Sequence, residues 1–231
     1  MRFLAFARID PVCKGLGDLT MILTKFGHAC VRLDKGVHSV VIDPGVMSPE
    51  RGILDDVDTI LITHEHFDHF VATRLTAAVA ERPSLLIYTC PGVARHLQAL
   101  SDHVRVVTDG QTFSVPGFEV TVVGQKHHPS HPDVPPVDNV GFLVDGTVFH
   151  PGDALTINDA PILLVPGQAP WMTAPDLIAY LRAIHPQRAY AIHEGLLNDW
   201  GLKVLDSVLR NEADRMGTEV RRLAIGESVY V

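Results

Sequence analysis

Short apolar runs separated by turn formers pattern most of the chain. Residues 22–26, 30–33 and 39–43 read as strands, bounded by glycine, lysine-glycine or aspartate-proline. The run TILIT at 59–63 predicts a strand buried on both faces. After it, Phe70, Leu75, Ala78 and Val79 recur at helical spacing, predicting a helix over 69–81 that Pro83 stops. Strand 85–89, a helix over 91–100 opening on Pro91, and strand 104–107 follow. The second half has a strand at 118–124, a hairpin of 141–144 and 147–150 around Asp145-Gly146, and a buried strand at 162–165. A helix to Ile184 starts at Thr173, with Pro175 and Asp176 in its first turn. Strand 188–192, a helix over 202–216 and a closing hairpin of 222–225 with 228–231 complete the series. Alternating strands and helices predict an α/β layered fold. It forms one domain of two similar halves, 21–115 and 116–231.

Residues 1–20 lack such periodicity. Their apolar run at 3–7 is shorter than the roughly 7–15 residues of a secretory signal. The expectation is a peripheral or disordered extension, with an added edge strand as the alternative and Met21 as an alternative start. No window approaches the roughly 18 apolar residues of a membrane span, so no membrane and a cytoplasmic location are expected. At 231 residues, 46% apolar and 20% charged, the composition is that of one folded globule, not of a disordered or fibrous chain. The net charge of −8 disfavours nucleic acid as a partner. Three scattered cysteines, Cys13, Cys30 and Cys90, build neither a disulfide framework nor a thiolate cluster. A homo-oligomer is compatible with the sequence, which does not specify one.

The 13 histidines change the picture. His64, His66, Asp68 and His69 stand as H-x-H-x-D-H between a buried strand and a helix. Alternate residues of an extended tip share a face, so His64 and His66 point to one side. Asp68 and His69, at the helix start, turn back toward the same point. Imidazole nitrogens and a carboxylate oxygen suit zinc and admit manganese. Four donors in six residues exceed the needs of one catalytic ion, which keeps a position open for water.

Further donors follow strand ends, where open α/β folds gather their chemistry: His127, His128 and His131 after strand 118–124, Asp153 after the hairpin, and His193 after strand 188–192. Each alone reads as structural. Together with H-x-H-x-D-H they complete two metal shells.

This order of motifs resembles the metallo-β-lactamase superfamily. The resemblance spans 21–231, including Phe26-Gly27-His28-Ala29-Cys30 and Ile42-Asp43-Pro44-Gly45, and looks closest to a compact branch similar to ascorbate-6-phosphate lactonase. It implies a four-layer αβ/βα sandwich with the site at one edge of two sheets. It also implies that His64, His66 and a middle histidine hold one metal, that Asp68, His69 and His193 hold the other, and that Asp153 bridges them. His127 takes the family's usual middle position. His131 is then a candidate substrate contact, and His128 is solvated.

The expected activity is hydrolysis of an ester, lactone or phosphoester bond in a small anionic substrate, through a hydroxide shared by two zinc-type ions. Asp68 orients that nucleophile. The alternatives are a phosphodiesterase or RNase-type nuclease and a non-catalytic metal-binding regulator. Four residues carry open readings. Asp43 either orients a ligand histidine or makes an Asp-Pro turn. His28 lines the pocket or is a core histidine, Trp171 is a cleft wall or packs beneath the next helix, and Glu65 is solvated or supports a ligand.

Overall fold

The computed structural model describes residues 20–231, so the expected extension at 1–20 lies, except for Thr20, outside the described residues. The first half supplies β1 (Ile22–Lys25), β2 (Val31–Lys35), β3 (His38–Ile42), β4 (Thr59–Ile62), α1 (Ala72–Glu81), β5 (Leu86–Thr89), α2 (Pro91–His96) and β6 (Val104–Val106). The second supplies β7 (Thr112–Val115), β8 (Phe118–Val123), β9 (Gly141–Val144), β10 (Val148–His150), β11 (Ile162–Pro166), α3 (Ala174–Ile184), β12 (Arg188–Ile192), α4 (Asp199–Met216), β13 (Glu219–Arg222) and β14 (Ser228–Tyr230).

Two seven-stranded sheets result, in the orders β14-β1-β2-β3-β4-β5-β6 and β13-β12-β11-β10-β9-β8-β7. Each is antiparallel at one end and parallel at the other. The parallel strands are β3 to β6 in one sheet and β10 to β13 in the other.

Side-chain alternation explains the layering. In β11, Ile162 and Leu164 join the apolar core shared with the first sheet, whereas Leu163 and Val165 pack under Leu177, Leu181, Leu205 and Leu209 of α3 and α4. In β12, Tyr190 and Ile192 face the shared core, and Ala189 and Ala191 face the helices. A continuously apolar strand is thus required, because both of its faces are covered. On the first sheet, Leu75 and Val79 of α1 and Val93 of α2 close the opposite layer. Each such large aliphatic side chain contributes about 1.5–3 kcal/mol by burial. This is the four-layer αβ/βα sandwich that the family resemblance implies.

Three expectations are corrected. The closing hairpin does not form: β13 pairs with β12, whereas β14 pairs with β1 in the other sheet. Val220 packs into the helix-side core and Val229 against the shared core, so the two strands serve different layers. The boundary between halves falls before β7, not after it, since Thr112–Val115 pairs with β8 through the Pro116-Gly117 turn, with Gly117 at φ 80°. Helix α1 begins at Ala72, leaving Asp68 and His69 in a preceding turn closed by the His69 and Phe70 amides on the His66 carbonyl. Among the described residues, no helix is long and apolar enough to cross a membrane.

Candidate metal centre

Loops leaving the carboxyl ends of β3, β4, β8, β10, β11 and β12 meet at one edge of the sandwich. They carry Asp43, His64 to His69, His127, Asp153, Gln168 and His193. The donors form two groups, His28 with Asp68, His69 and His193, and His64 with His66, His127 and Asp153, whose candidate ligand atoms lie within 4.8 Å of one another. All are buried except His66 and Asp68, which are half-buried. The structure thus brings together every residue of the expected metal shells, places His127 in the second group and neither His128 nor His131, and sets His28 beside Asp68, His69 and His193. His131 is exposed, and its Nδ1 accepts the Asp133 amide.

Four of the imidazoles are oriented by what their other nitrogen does. His69 Nδ1 donates to Asp43 Oδ2 at 2.7 Å, and His193 Nδ1 donates to the Gln168 carbonyl at 2.7 Å. His127 Nδ1 donates to the His128 carbonyl. The Thr63 hydroxyl donates to Asp43 Oδ2 at 2.6 Å, which leaves Thr63 Oγ1 to accept from His64 Nδ1 at 2.9 Å. Every one of these bonds turns Nε2 and its lone pair inward, as ligating histidines require. Asp43 therefore serves two imidazoles, one directly and one through Thr63.

The inward atoms have no ordinary partners. His69 Nε2, His127 Nε2, His193 Nε2 and Asp153 Oδ1 are buried without a hydrogen bond. Yet His69 Nε2 lies 3.1 Å from Asp153 Oδ1, and His193 Nε2 lies 3.0 Å from Asp153 Oδ2. Such separations without hydrogen-bond geometry describe donors converging on a common point. Buried polar atoms are otherwise satisfied in folded proteins, so this cluster fits divalent cations.

Electrostatics follow from the packing. Burial holds His64 well below its ordinary value and lowers His66 and His28 as well, which keeps these rings neutral. Burial alone would raise Asp68, but the His28 hydrogen bond and the nearby His69 and His193 overcome it and bring the carboxyl to about 2. Asp153 is likewise held well below its usual value, burial being outweighed chiefly by His69. His69 alone among these rings is pushed up, its burial outweighed by Asp153 and Asp43.

Several supports escape a reading of the sequence. Asn139 accepts the Asp153 amide at 3.0 Å and donates to the Pro151 carbonyl at 2.9 Å, fixing the loop that presents Asp153. His150 donates to the Ala29 carbonyl and accepts the Gly152 amide. Asp43 and His193 both sit at positive φ, 51° and 65°, the kind of sparse conformation that collects at functional sites. Glu65 is half-buried, near Arg95 and His96. The two described cysteines, Cys30 and Cys90, are buried outside both donor groups, and burial pushes the Cys30 thiol up to about 12.

Comparison with known proteins agrees with this geometry. A family model described as a Beta-lactamase superfamily domain matches residues 22–193. Protein Rv0786c of Mycobacterium tuberculosis is 34% identical over 184 residues, covering 77% of this chain and 85% of the relative. The UPF0173 metal-dependent hydrolase MJ1163 of Methanocaldococcus jannaschii is 26% identical over 225 residues, covering 89% and 98%. Among solved structures, Igni18, a metallo hydrolase from Ignicoccus hospitalis, superposes with a TM-score of 0.67 at 19% identity over 92% of this chain and 98% of that one. The metallo-beta-lactamase fold protein YhfI from Bacillus subtilis gives 0.67 at 17% identity over 92% and 100%. At such identities the structural likeness is one of fold. With most of its length matched by the family model, the chain belongs to the beta-lactamase superfamily.

Proposed function

We propose that this protein is a metal-dependent hydrolase holding two divalent ions and cleaving an ester, lactone or phosphoester bond of a small anionic substrate. The observation that carries the reading is the set of inward, unpartnered atoms: His69 Nε2, His127 Nε2, His193 Nε2 and Asp153 Oδ1. His64, His66 and His127 would hold one ion, and Asp68, His69 and His193 the other, with Asp153 between them. The nitrogen-rich donor set favours zinc and admits manganese. Bound there, such ions acidify water toward neutrality and polarise a substrate oxygen.

The chain's own residues supply the rest. Asp68, its carboxyl held at about 2 and so ionised throughout the physiological range, orients the attacking water. His28 Nδ1 accepts the Gly195 amide at 3.0 Å, so its Nε2 carries the proton and donates to Asp68 Oδ2 at 3.2 Å, fixing that carboxylate. Two dications set against Asp68 and Asp153 leave the pocket locally cationic, which suits an anionic substrate despite the net charge of −8. The name of the relative MJ1163, a metal-dependent hydrolase matched over nearly its whole length, supports the reading.

The test is metal quantification followed by a hydrolase screen on one preparation. About two ions per chain are expected. Metal-dependent turnover of a lactone, ester or phosphodiester is also expected, and His66→Ala should abolish it. A broad panel without metal-dependent turnover would overturn catalysis in favour of a binding role.

A further inference from the structure

We propose that Trp171 is a positioning residue for Asp153, its indole N–H setting which carboxylate lone pairs remain for cations; this rests on the metal-site reading above. Trp171 Nε1 donates to Asp153 Oδ2 at 2.9 Å. Among the described residues this is the one hydrogen bond made to the Asp153 carboxylate, since Oδ1 has none. Asn139 anchors only the backbone of Asp153, through its amide. Rotation of the carboxylate about its own bond is therefore restrained by the indole.

The indole is itself held in place. Its ring stacks on His128, centroids 5.0 Å apart and planes 23° from parallel. The His128 amide in turn donates to the Asp153 carbonyl at 2.7 Å, closing a triangle of Trp171, His128 and Asp153. From the other side, the Met172 amide bonds the Ala169 carbonyl, and Thr173 with Asp176 caps α3 directly after the indole. The ring edge also meets His127 at 5.5 Å and His193 at 6.3 Å, one donor from each group.

A carboxylate oxygen accepts through two in-plane lone pairs. With the indole on one of them, Oδ2 keeps one and Oδ1 keeps both. Oδ1 faces His69 at 3.1 Å, whereas Oδ2 lies between the two donor groups, 3.0 Å from His193 and 3.3 Å from His127. With the indole in place, Oδ2 would have a single lone pair to offer a cation, and Oδ1 would have to serve any second one. Partners of this kind behind metal ligands set affinity over about ten- to a hundredfold when removed.

The chain has two tryptophans, and the other, Trp200, is 74% exposed on α4. In a Trp200→Phe background the fluorescence of the full chain reports Trp171 alone. Zinc added to the chelator-stripped protein is expected to change that emission and to saturate at the ion stoichiometry found by metal analysis. Trp171→Phe, which keeps an aromatic ring and loses the N–H, is expected to weaken zinc retention against a competing chelator by about tenfold or more. Its metal-free melting temperature should stay at that of the parent, separating a positioning role from a structural one. Zinc retention within twofold of the parent, or an emission unmoved by saturating zinc, overturns the proposal while leaving the metal-site reading intact. A parent chain that retains no zinc overturns that reading, and the role of Trp171 with it.

Discussion

His28 Nε2 lies 3.2 Å from Asp68 Oδ2, although 40 residues separate them in the chain. His28 sits between β1 and β2, and Asp68 in the turn before α1, so the contact depends on the first sheet being assembled. Its second anchor, the Gly195 amide, comes from the loop after β12 in the other sheet. One imidazole thereby ties a carboxylate of the site to both halves of the fold.

Replacing His28 should separate catalysis from metal retention. His28→Ala leaves the donors His64, His66, His127 and Asp153 in place but frees the Asp68 carboxylate. Turnover is expected to fall about ten- to a hundredfold, with the ion count unchanged. Loss of the hydrogen bond should also return Asp68 from about 2 toward an ordinary carboxylate, moving the acid limb of the rate profile upward. Paired metal analysis and a pH–rate profile read both effects. Loss of an ion in His28→Ala would instead make His28 a ligand.

The metal-free chain should lose stability as pH falls below neutrality. His28, His64, His66 and His150 are all lowered in the folded state, with burial the first cause in each. In the unfolded chain they protonate near about 6.5, so the unfolded state binds protons that the folded state refuses. His69 acts in the opposite sense. Raised by Asp153 and Asp43, its contribution is full below about 6.5 and lost as pH rises through its elevated value. Four groups against one set the direction. Urea midpoints of the chelator-treated protein should decline from pH 7.5 to 5, and a flat or rising series would contradict the assignment. Asp68 adds a second loss at lower pH, since its contribution is present above about 3.9 and disappears as pH falls through about 2.

The layered fold was legible because its central strands are buried on both faces and read as unbroken apolar runs, as in β4 and β11. Strand β7 leaves little trace in the sequence because Thr112 and Ser114 alternate with Phe113 and Val115, too few apolar positions to mark an edge strand. The final two strands part company for a topological reason. Two short strands divided by Gly226 look like a hairpin locally, and only the cores under Val220 and Val229 separate them. At the site, H-x-H-x-D-H is local and visible. The partners that orient it are not: Gln168 reaches His193, and Asn139 reaches Asp153, through contacts that exist only after the sheets pack. Asp43 and His28 each carried two readings, because nothing near them in the chain says which histidine or carboxylate they will meet.

Asp43 offers a test of how much those distant partners matter. Its carboxylate accepts from the Thr63 amide, the Thr63 hydroxyl and His69 Nδ1, all fully buried. Asp43→Ala strands these donors, and each unsatisfied group costs about 1–3 kcal/mol. His69 and His64 also lose the bonds that aim them. The variant is expected to melt lower and to retain metal about ten- to a hundredfold more weakly. Calorimetry of the metal-free chain and chelator competition measure the two separately. Wild-type metal retention would show that His69 keeps its orientation by packing alone.

Gly152 controls the placement of Asp153 from one residue away. It sits at φ 62°, a conformation that costs a residue with a Cβ about 1–2 kcal/mol. A Cβ there would also lie 2.3 Å from Asn139 Oδ1 and 2.7 Å from the Thr63 Cβ. Neither neighbour can yield freely, since Asn139 Oδ1 accepts the Asp153 amide and Thr63 links Asp43 to His64. Gly152→Ala should therefore push apart the loop carrying Asp153 and the strand tip carrying His64. Its expected signature is a lower melting temperature together with fewer retained ions, even though no donor has been removed. Gly146→Ala is the control, because Gly146 has a similar φ of 59° but open space around it and lies in the β9–β10 turn. That variant should show the strain cost alone and keep its full metal content. Equal metal loss in both would trace the effect to general destabilisation and not to the position of Asp153.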